Sequence, residues 1–316
     1  MKCWAAGSDG TTFSLPAVTS WEFRYGLGSP CDSFEVVCLW EPGAEKILAG
    51  ASRFFAEDNG SRVFTGVVDE YSCVRDERGS RLELSGRGMQ ALLLDNEAIP
   101  VEYQWATAQD ILRRHAAPYG IPFRDDFPAG AVSGFSVSAG QSEWSVILNF
   151  ARSNIGIVPR FDTDGRLSLA PWDDSLQRKI GDAAPVTALR YRCRRYGVLS
   201  QVVVHNKNGY VTQVVNDDSF QAQGGCCRRV LSVPHTASAP ALRYSGEYQL
   251  RASRAERETC ELVLAGSFPA RPGDLIEIAR SGFGGNGLYR VRECSVKLDE
   301  RGLSSKLLLG PTDLLI

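Results

Sequence analysis

The residues best suited by type and spacing to carry chemistry are a glycine run, Gly282-Phe283-Gly284-Gly285-Asn286-Gly287, three histidines, and three pairs of adjacent aspartates. The glycine run has the GxGxxG spacing with which a backbone approaches a pyrophosphate at a helix N-terminus. The residues after it, Leu288-Tyr289-Arg290-Val291-Arg292, alternate as a strand does, so the run reads as a loop between two strands. His115, His205 and His235 stand in unrelated settings, no GxSxG elbow occurs, and no spacing gathers His and Cys into a zinc set. His115 falls beside Arg113 and Arg114 on a helical stretch and is expected to be a surface or packing residue. Asp125-Asp126, Asp173-Asp174 and Asp217-Asp218 have the residue types of a glycosidase acid and base. All three lie in polar, turn-like stretches, where solvated turns are expected. Asp162-Thr163-Asp164-Gly165 lacks the Glu at the twelfth position of a calcium loop and reads as a turn. No catalytic residue, cofactor or metal site is expected, and the chain reads as a non-enzyme.

Two further groups carry reactive or recognition chemistry. The cysteine count of nine is odd and contains no CxxC spacing, which fits a reducing compartment. The adjacent Cys226-Cys227 are expected to be small buried thiols. Arg190-Tyr191-Arg192-Cys193-Arg194-Arg195-Tyr196 interleaves cations with aromatics. That pattern suits stacking on a single-stranded nucleic acid, and equally a protein interface, where Arg and Tyr are enriched. The net charge of −2 supplies no global basic field and favours the interface.

A chain of 316 residues, 43% hydrophobic and 23% charged, is long enough for two or three domains with real cores. Met1 to Gly7 has no apolar run of signal-peptide length, and no segment approaches the ~18 apolar residues of a membrane span. Synthesis in the cytoplasm is expected, with no membrane insertion.

The elements that must position these residues change character along the chain. Phe34 to Trp40, Val63 to Val68 and Arg81 to Leu84 read as strands, with Leu82 and Leu84 alternating inward, and a helical turn follows at Met89 to Leu94. Thr107 is a good N-cap for a helix carrying Ala108, Ile111, Leu112 and His115. A second helix starts near Ser142, carries Trp144, Ile147 and Leu148 on one face, and ends at Gly156. A hairpin then folds about Asp162 to Gly165. β-character returns after Pro185, with a turn at Asn206 to Gly209, a helix over Ser245 to Glu256, and strands through Leu309.

One sequence repeats. Asp-Glu-Arg-Gly occurs at Asp76 to Gly79 and at Asp299 to Gly302, and at that spacing of 223 residues eight of the seventeen positions from 68 to 84 are identical. Turn chemistry alone favours Asp and Gly in any hairpin, so two convergent hairpins would look like this. The stronger reading is a duplicated β-unit near each end of the chain, and duplication serves symmetry before it serves chemistry.

Several stretches also carry a family likeness. Val63-Phe64-Thr65-Gly66-Val67-Val68-Asp69, Leu82-Glu83-Leu84-Ser85-Gly86-Arg87-Gly88 and Leu92-Leu93-Leu94-Asp95 resemble the first β-domain of phage tail baseplate hub proteins. The family is that of Mu-like and related prophage contractile tails, akin to the T-even hub and the hub part of type VI secretion spikes. Thr107 to Leu112 with Tyr119-Gly120-Ile121, Ala151 to Leu169, Pro272 to Leu275 and Gly287 to Val291 are similar to its later segments, in the family's order. Residues 216 to 245 match nothing in it.

The resemblance implies an α+β, mainly β fold: two similar small antiparallel, barrel-like and tail-tube-like β-domains flanking a compact α/β module. Boundaries are expected at 1–90, 91–183 and 184–316, with an inserted segment near 216–255. It implies a homotrimeric ring of pseudo-sixfold symmetry in a virion tail baseplate, joining the hexameric tail tube to the trimeric spike. Partners would be the spike, tail tube, other baseplate proteins and tape measure protein, with DNA only as passing cargo. Interface candidates are Asp76, Arg78 and Gly79, Asp299, Arg301 and Gly302, and Arg190, Tyr191, Arg192, Arg194 and Tyr196. The rival expectations are a tail-associated cell-wall hydrolase and a carbohydrate- or receptor-binding tail-tip module.

Overall fold

The computed structural model of the protein describes residues 1–27, 31–77, 79–127, 130–175, 177–207, 212–233, 239–255 and 257–313. By contact the chain divides into two compact units. The first comprises Met1–Asp173, Gly266–Phe268 and Ser295–Ser305; the second comprises Asp174–Ala265, Pro269–Cys294 and Lys306–Ile316.

The first unit begins with β1 (Lys2–Gly7), β2 (Thr12–Ser14), β3 (Val18–Gly26), β4 (Ser33–Leu39), α1 (Ala44–Leu48), β5 (Ala51–Asp58), β6 (Ser61–Asp76) and β7 (Gly79–Gly88). Its strands lie in the order β3-β4-β7-β6-β5-β1-β2. Period-two alternation sends Phe23, Phe34, Phe54 and Phe64 to one side of this sheet, where all four are essentially buried. The Phe34 and Phe54 rings stack with centroids 3.8 Å apart.

The rest of this unit is the α/β module: α2 (Ala91–Leu94), β8 (Val101–Thr107), α3 (Ala108–His115), β9 (Ala131–Val137), α4 (Glu143–Phe150), β10 (Arg160–Phe161) and β11 (Leu167–Ser168). Thr107 caps α3 in a full capping box, its hydroxyl accepting from the Asp110 N–H while Asp110 accepts from the Thr107 N–H. Ser142 caps α4. Ile111, Leu112, Trp144, Ile147, Phe150 and Leu167 bury their side chains in a common core. Asp162 makes the expected turn, its carboxylate accepting from the backbone of Asp164 and Arg166.

The second unit contains β12 (Gln177–Gly181), β13 (Val186–Cys193), β14 (Gln201–Asn206), β15 (Thr212–Asn216), α5 (Asp218–Ala222), β16 (Arg228–Val233), α6 (Ala239–Arg254), β17 (Glu258–Ala265) and β18 (Leu275–Ala279). It shares β19 (Gly287–Asp299) and β20 (Gly302–Gly310), whose hairpin tip belongs to the first unit. The sheet order is β13-β17-β20-β19-β18, with β12 parallel to β18. Between β13 and β17, β14 pairs with β15 and β16, and α6 packs on them around Leu199, Val202, Val204, Leu242 and Leu250.

Taken in chain order, β3 to β7 and then β13, β17, β18, β19 and β20 have the same strand order in their sheets. The agreement extends to register. Val67 of β6 faces Arg53, and Arg290, its counterpart at the repeat spacing, faces Leu275 of β18. The β3–β4 pair slips by one residue between Val18 and Ser20, and the β13–β17 pair slips between Val186 and Ala188. At the slip the Thr19 hydroxyl donates to the Val37 carbonyl, and the Thr187 hydroxyl to that of Val263, each at 3.2 Å. Beside it the Leu39 N–H donates to Ala17, and the Ala265 N–H to Pro185. Convergent turns do not reproduce a bulge and its bonds in a strand pair that neither turn joins. The fold is α+β and mainly β, with two similar β-units flanking an α/β module.

Candidate functional site

Both Asp-Glu-Arg-Gly turns close long antiparallel hairpins. Gly79 has φ +104° and Gly302 φ +99°, a region L side chains rarely adopt, which is why glycine stands at the same place in each. Asp76 takes a 2.7 Å ion pair from Arg81, while Asp299 takes one of 3.0 Å from Lys297 and accepts from the Arg301 N–H at 2.8 Å. Those contacts hold the Asp299 carboxyl below the usual carboxylate range. Arg78 lies outside the described residues.

The arginine-tyrosine cluster is divided by the structure. Arg190, Tyr191 and Arg192 lie exposed on β13, which pairs with β17 on one side and with no strand on the other among the described residues. Arg194 and Tyr196 follow the strand in a turn, the guanidinium 5.4 Å from the ring centroid. Tyr196 is 83% exposed.

A second bare edge lies on β6. Its first half, through Val67, pairs with β5, and a bulge between Val68 and Glu70 then turns the strand so that Asp69 to Arg75 run beside β7 alone among the described residues. Arg87 fixes the bulge by chelating Asp69 at 2.7 Å while also binding Asp95 at 2.6 Å. Sequence reasoning did not find this edge or the β3–β13 correspondence. The shared Val-Thr dipeptide, Val18-Thr19 and Val186-Thr187, is a local signal too short to stand alone.

Several expectations need correction. Of the two roles expected for His115, surface or packing, the structure gives packing: it is 2% exposed, with Nδ1 2.5 Å from Glu143 Oε2 and Nε2 2.9 Å from the Tyr103 hydroxyl. Tyr119 donates to the other Glu143 oxygen at 2.9 Å, so the Tyr119 hydroxyl and the imidazole together satisfy a buried carboxylate. Asp217 is no solvated turn residue either; it is buried, caps α5 and accepts from Arg254 at 2.7 Å. Asp174 does lie in an exposed turn as expected, and from there it chelates Arg290. Cys226 is exposed and Cys227 half-buried, because they precede β16 at the rim of its sheet. The helix expected from Ser245 starts earlier, at Ala239. The turn at Asn206 to Gly209 lies partly outside the described residues.

The Gly282 to Gly287 run is a loop between β18 and β19, as expected. Among the described residues no group of His, Cys, Asp and Glu is placed to hold a metal, and no helix is long and apolar enough to cross a membrane. Trp21 and Trp144 are buried while Trp105 is 69% exposed, so the tryptophans form no common platform.

No family model matches the chain, and no curated protein matches it. Solved structures do. A tail protein from Neisseria meningitidis MC58 superposes with a TM-score of 0.81 at 18% identity, covering 98% of this chain and 96% of that one. The 43 kDa tail protein of prophage MuSo2 from Shewanella oneidensis gives 0.80 at 17% identity over 99% of each chain. An E. coli component of the type VI secretion system, itself structurally similar to T4 tail proteins gp27 and gp5, gives 0.55 at 12% identity over 93% of this chain and 73% of that one. The fold is that of phage tail proteins.

Proposed function

We propose that the protein is a structural, non-enzymatic hub subunit of a phage tail or tail-like particle. Three copies form a ring in which each chain fills two of six quasi-equivalent positions, adapting the hexameric tail tube to the trimeric central spike. The observation that carries this is the duplication: strand order, register, bulge and side-chain bonds recur in two β-units of one chain. A chain with an internal two-fold repeat turns a threefold assembly into a surface of six similar positions, which is what a sixfold tube requires.

On this reading the division into residues 1–90, 91–183 and 184–316 separates the first ring unit, an α/β module and the second ring unit. The hairpin tips at Asp76, Gly79, Asp299, Arg301 and Gly302 and the 190–196 cluster serve as contact surfaces. Spike, tube, other baseplate proteins and the tape measure protein are the partners, and DNA passes through the lumen. Synthesis is in the host cytoplasm and the working location is the tail baseplate.

The test is native mass spectrometry with negative-stain imaging, alone and with a spike protein. Three subunits around a channel of tail-tube width are expected; monomers in both conditions would overturn the reading. Peptidoglycan zymography is expected to show no clearing.

A further inference from the structure

By the duplication, the two bare edges occupy the positions of two strands that are neighbours elsewhere in the chain. Within the first unit, the tip segment of β19 lies in the sheet beside β3, so β3 has a strand on each side. By the duplication, β13 is the counterpart of β3, and the distal half of β6 is the counterpart of the distal half of β19. The β19-to-β3 joint is therefore filled inside the chain, while the equivalent β6-to-β13 joint is open at both ends.

Burial follows the same division. Phe23 on β3 is 1% exposed, whereas Tyr191, at the corresponding position of β13, is 38% exposed. Cys294 on β19 is 4% exposed, and its counterpart Tyr71 on β6 is only half-buried. The side chains on the bare edges are those of a strand with neighbours, lacking one neighbour. β13 presents Arg190 and Arg192, while β6 presents Glu70 beside the Arg87-paired Asp69 at its bulge and Arg75 near its end, so Glu70 is the acidic group left to meet the β13 arginines. Exposed strand edges of this length invite a further strand.

We infer that a second copy of this chain is the occupant, the distal half of β6 (Asp69–Arg75) of one subunit pairing with β13 (Val186–Cys193) of the next. The joint is head-to-tail, and it continues between chains the contact that β19 makes with β3 within one. The number of copies that close the ring rests on the hub reading; the choice of edges does not.

The experiment uses the full chain and its own thiols. Cys73 and Cys193 are exposed, one on each edge, and Cys226, exposed on the insertion, is the control. Alkylation followed by mass spectrometry is expected to slow at Cys73 and Cys193, by on the order of tenfold or more, when the chain assembles, with Cys226 unchanged. Glu70→Arg alone, or Arg190→Glu with Arg192→Glu, is expected to leave folded monomers, and one chain carrying all three changes to recover the ring. Rings whose Cys73 and Cys193 react as fast as Cys226, and which tolerate both charge reversals, would overturn this joint while leaving the hub reading intact. Monomers under every condition, spike included, would remove both. Protection of Cys73 seen only with a different protein bound would assign the edge to that protein and overturn the pairing.

Discussion

At the scale of single residues, the buried polar groups decide which substitutions are costly. Glu143 satisfies His115 and Tyr119 together, so Glu143→Leu orphans a buried imidazole nitrogen. A loss of about 1–3 kcal/mol is expected, read as a lower midpoint in urea unfolding, and Glu143→Gln should recover part of it. At Asp217 the cost depends on pH. Burial pushes its pKa up, but bonds from Ser219, the Phe220 N–H and Arg254 outweigh that and hold the carboxyl below its usual range. A depressed folded-state pKa stabilises above the unfolded value of about 3.9 and loses that contribution as pH falls through the folded value. The melting gap between the protein and Asp217→Asn should be full at pH 7 and close below about pH 4. A gap unchanged at pH 3 would show that the carboxylate charge is not what ties α5 to α6.

At the scale of elements, caps and turns were readable from sequence because their signals are local. Thr107 and Ser142 announce α3 and α4, and Thr107→Ala should cost about 1 kcal/mol in thermal unfolding by removing the capping box. Gly79 and Gly302 announce the hairpins. A Cβ at either meets open space, so Gly79→Ala and Gly302→Ala should each cost about 1–2 kcal/mol through backbone strain alone, and by similar amounts. Unequal costs in hydrogen exchange of the two hairpins would mean that the turns are not equivalent. The β3–β13 likeness was not readable, since it is carried by backbone register and by Thr19 and Thr187, with a long insertion shifting the spacing in the second copy. Asp217 was misplaced, and the choice between surface and packing for His115 was left open, for a related reason: their burial is set by Arg254 and Glu143, distant in sequence. The conjunction of family-like segments outweighed any single one, because each is short while their order along the chain is constrained.

At the scale of the molecule, the second copy of the repeat differs from the first mainly by what interrupts it. β3 ends at Gly26 and β4 begins at Ser33, whereas β13 and β17 are separated by a three-stranded sheet and α6 with a core of their own. Replacing residues 195–256 with a short linker should remove helical signal from circular dichroism while leaving amide protection on β17 to β20. Loss of that protection would make the insertion part of the sheet's core and not an addition to it.

The two bare edges belong to different strands, and that difference has a geometric consequence. A joint between unlike surfaces has a direction, so every subunit in a closed ring faces the same way along the axis. The two faces of such a ring are then chemically distinct without any residue devoted to telling them apart. Two unlike partners can then be told apart by the face each meets, and an inverted subunit finds no edge to pair with.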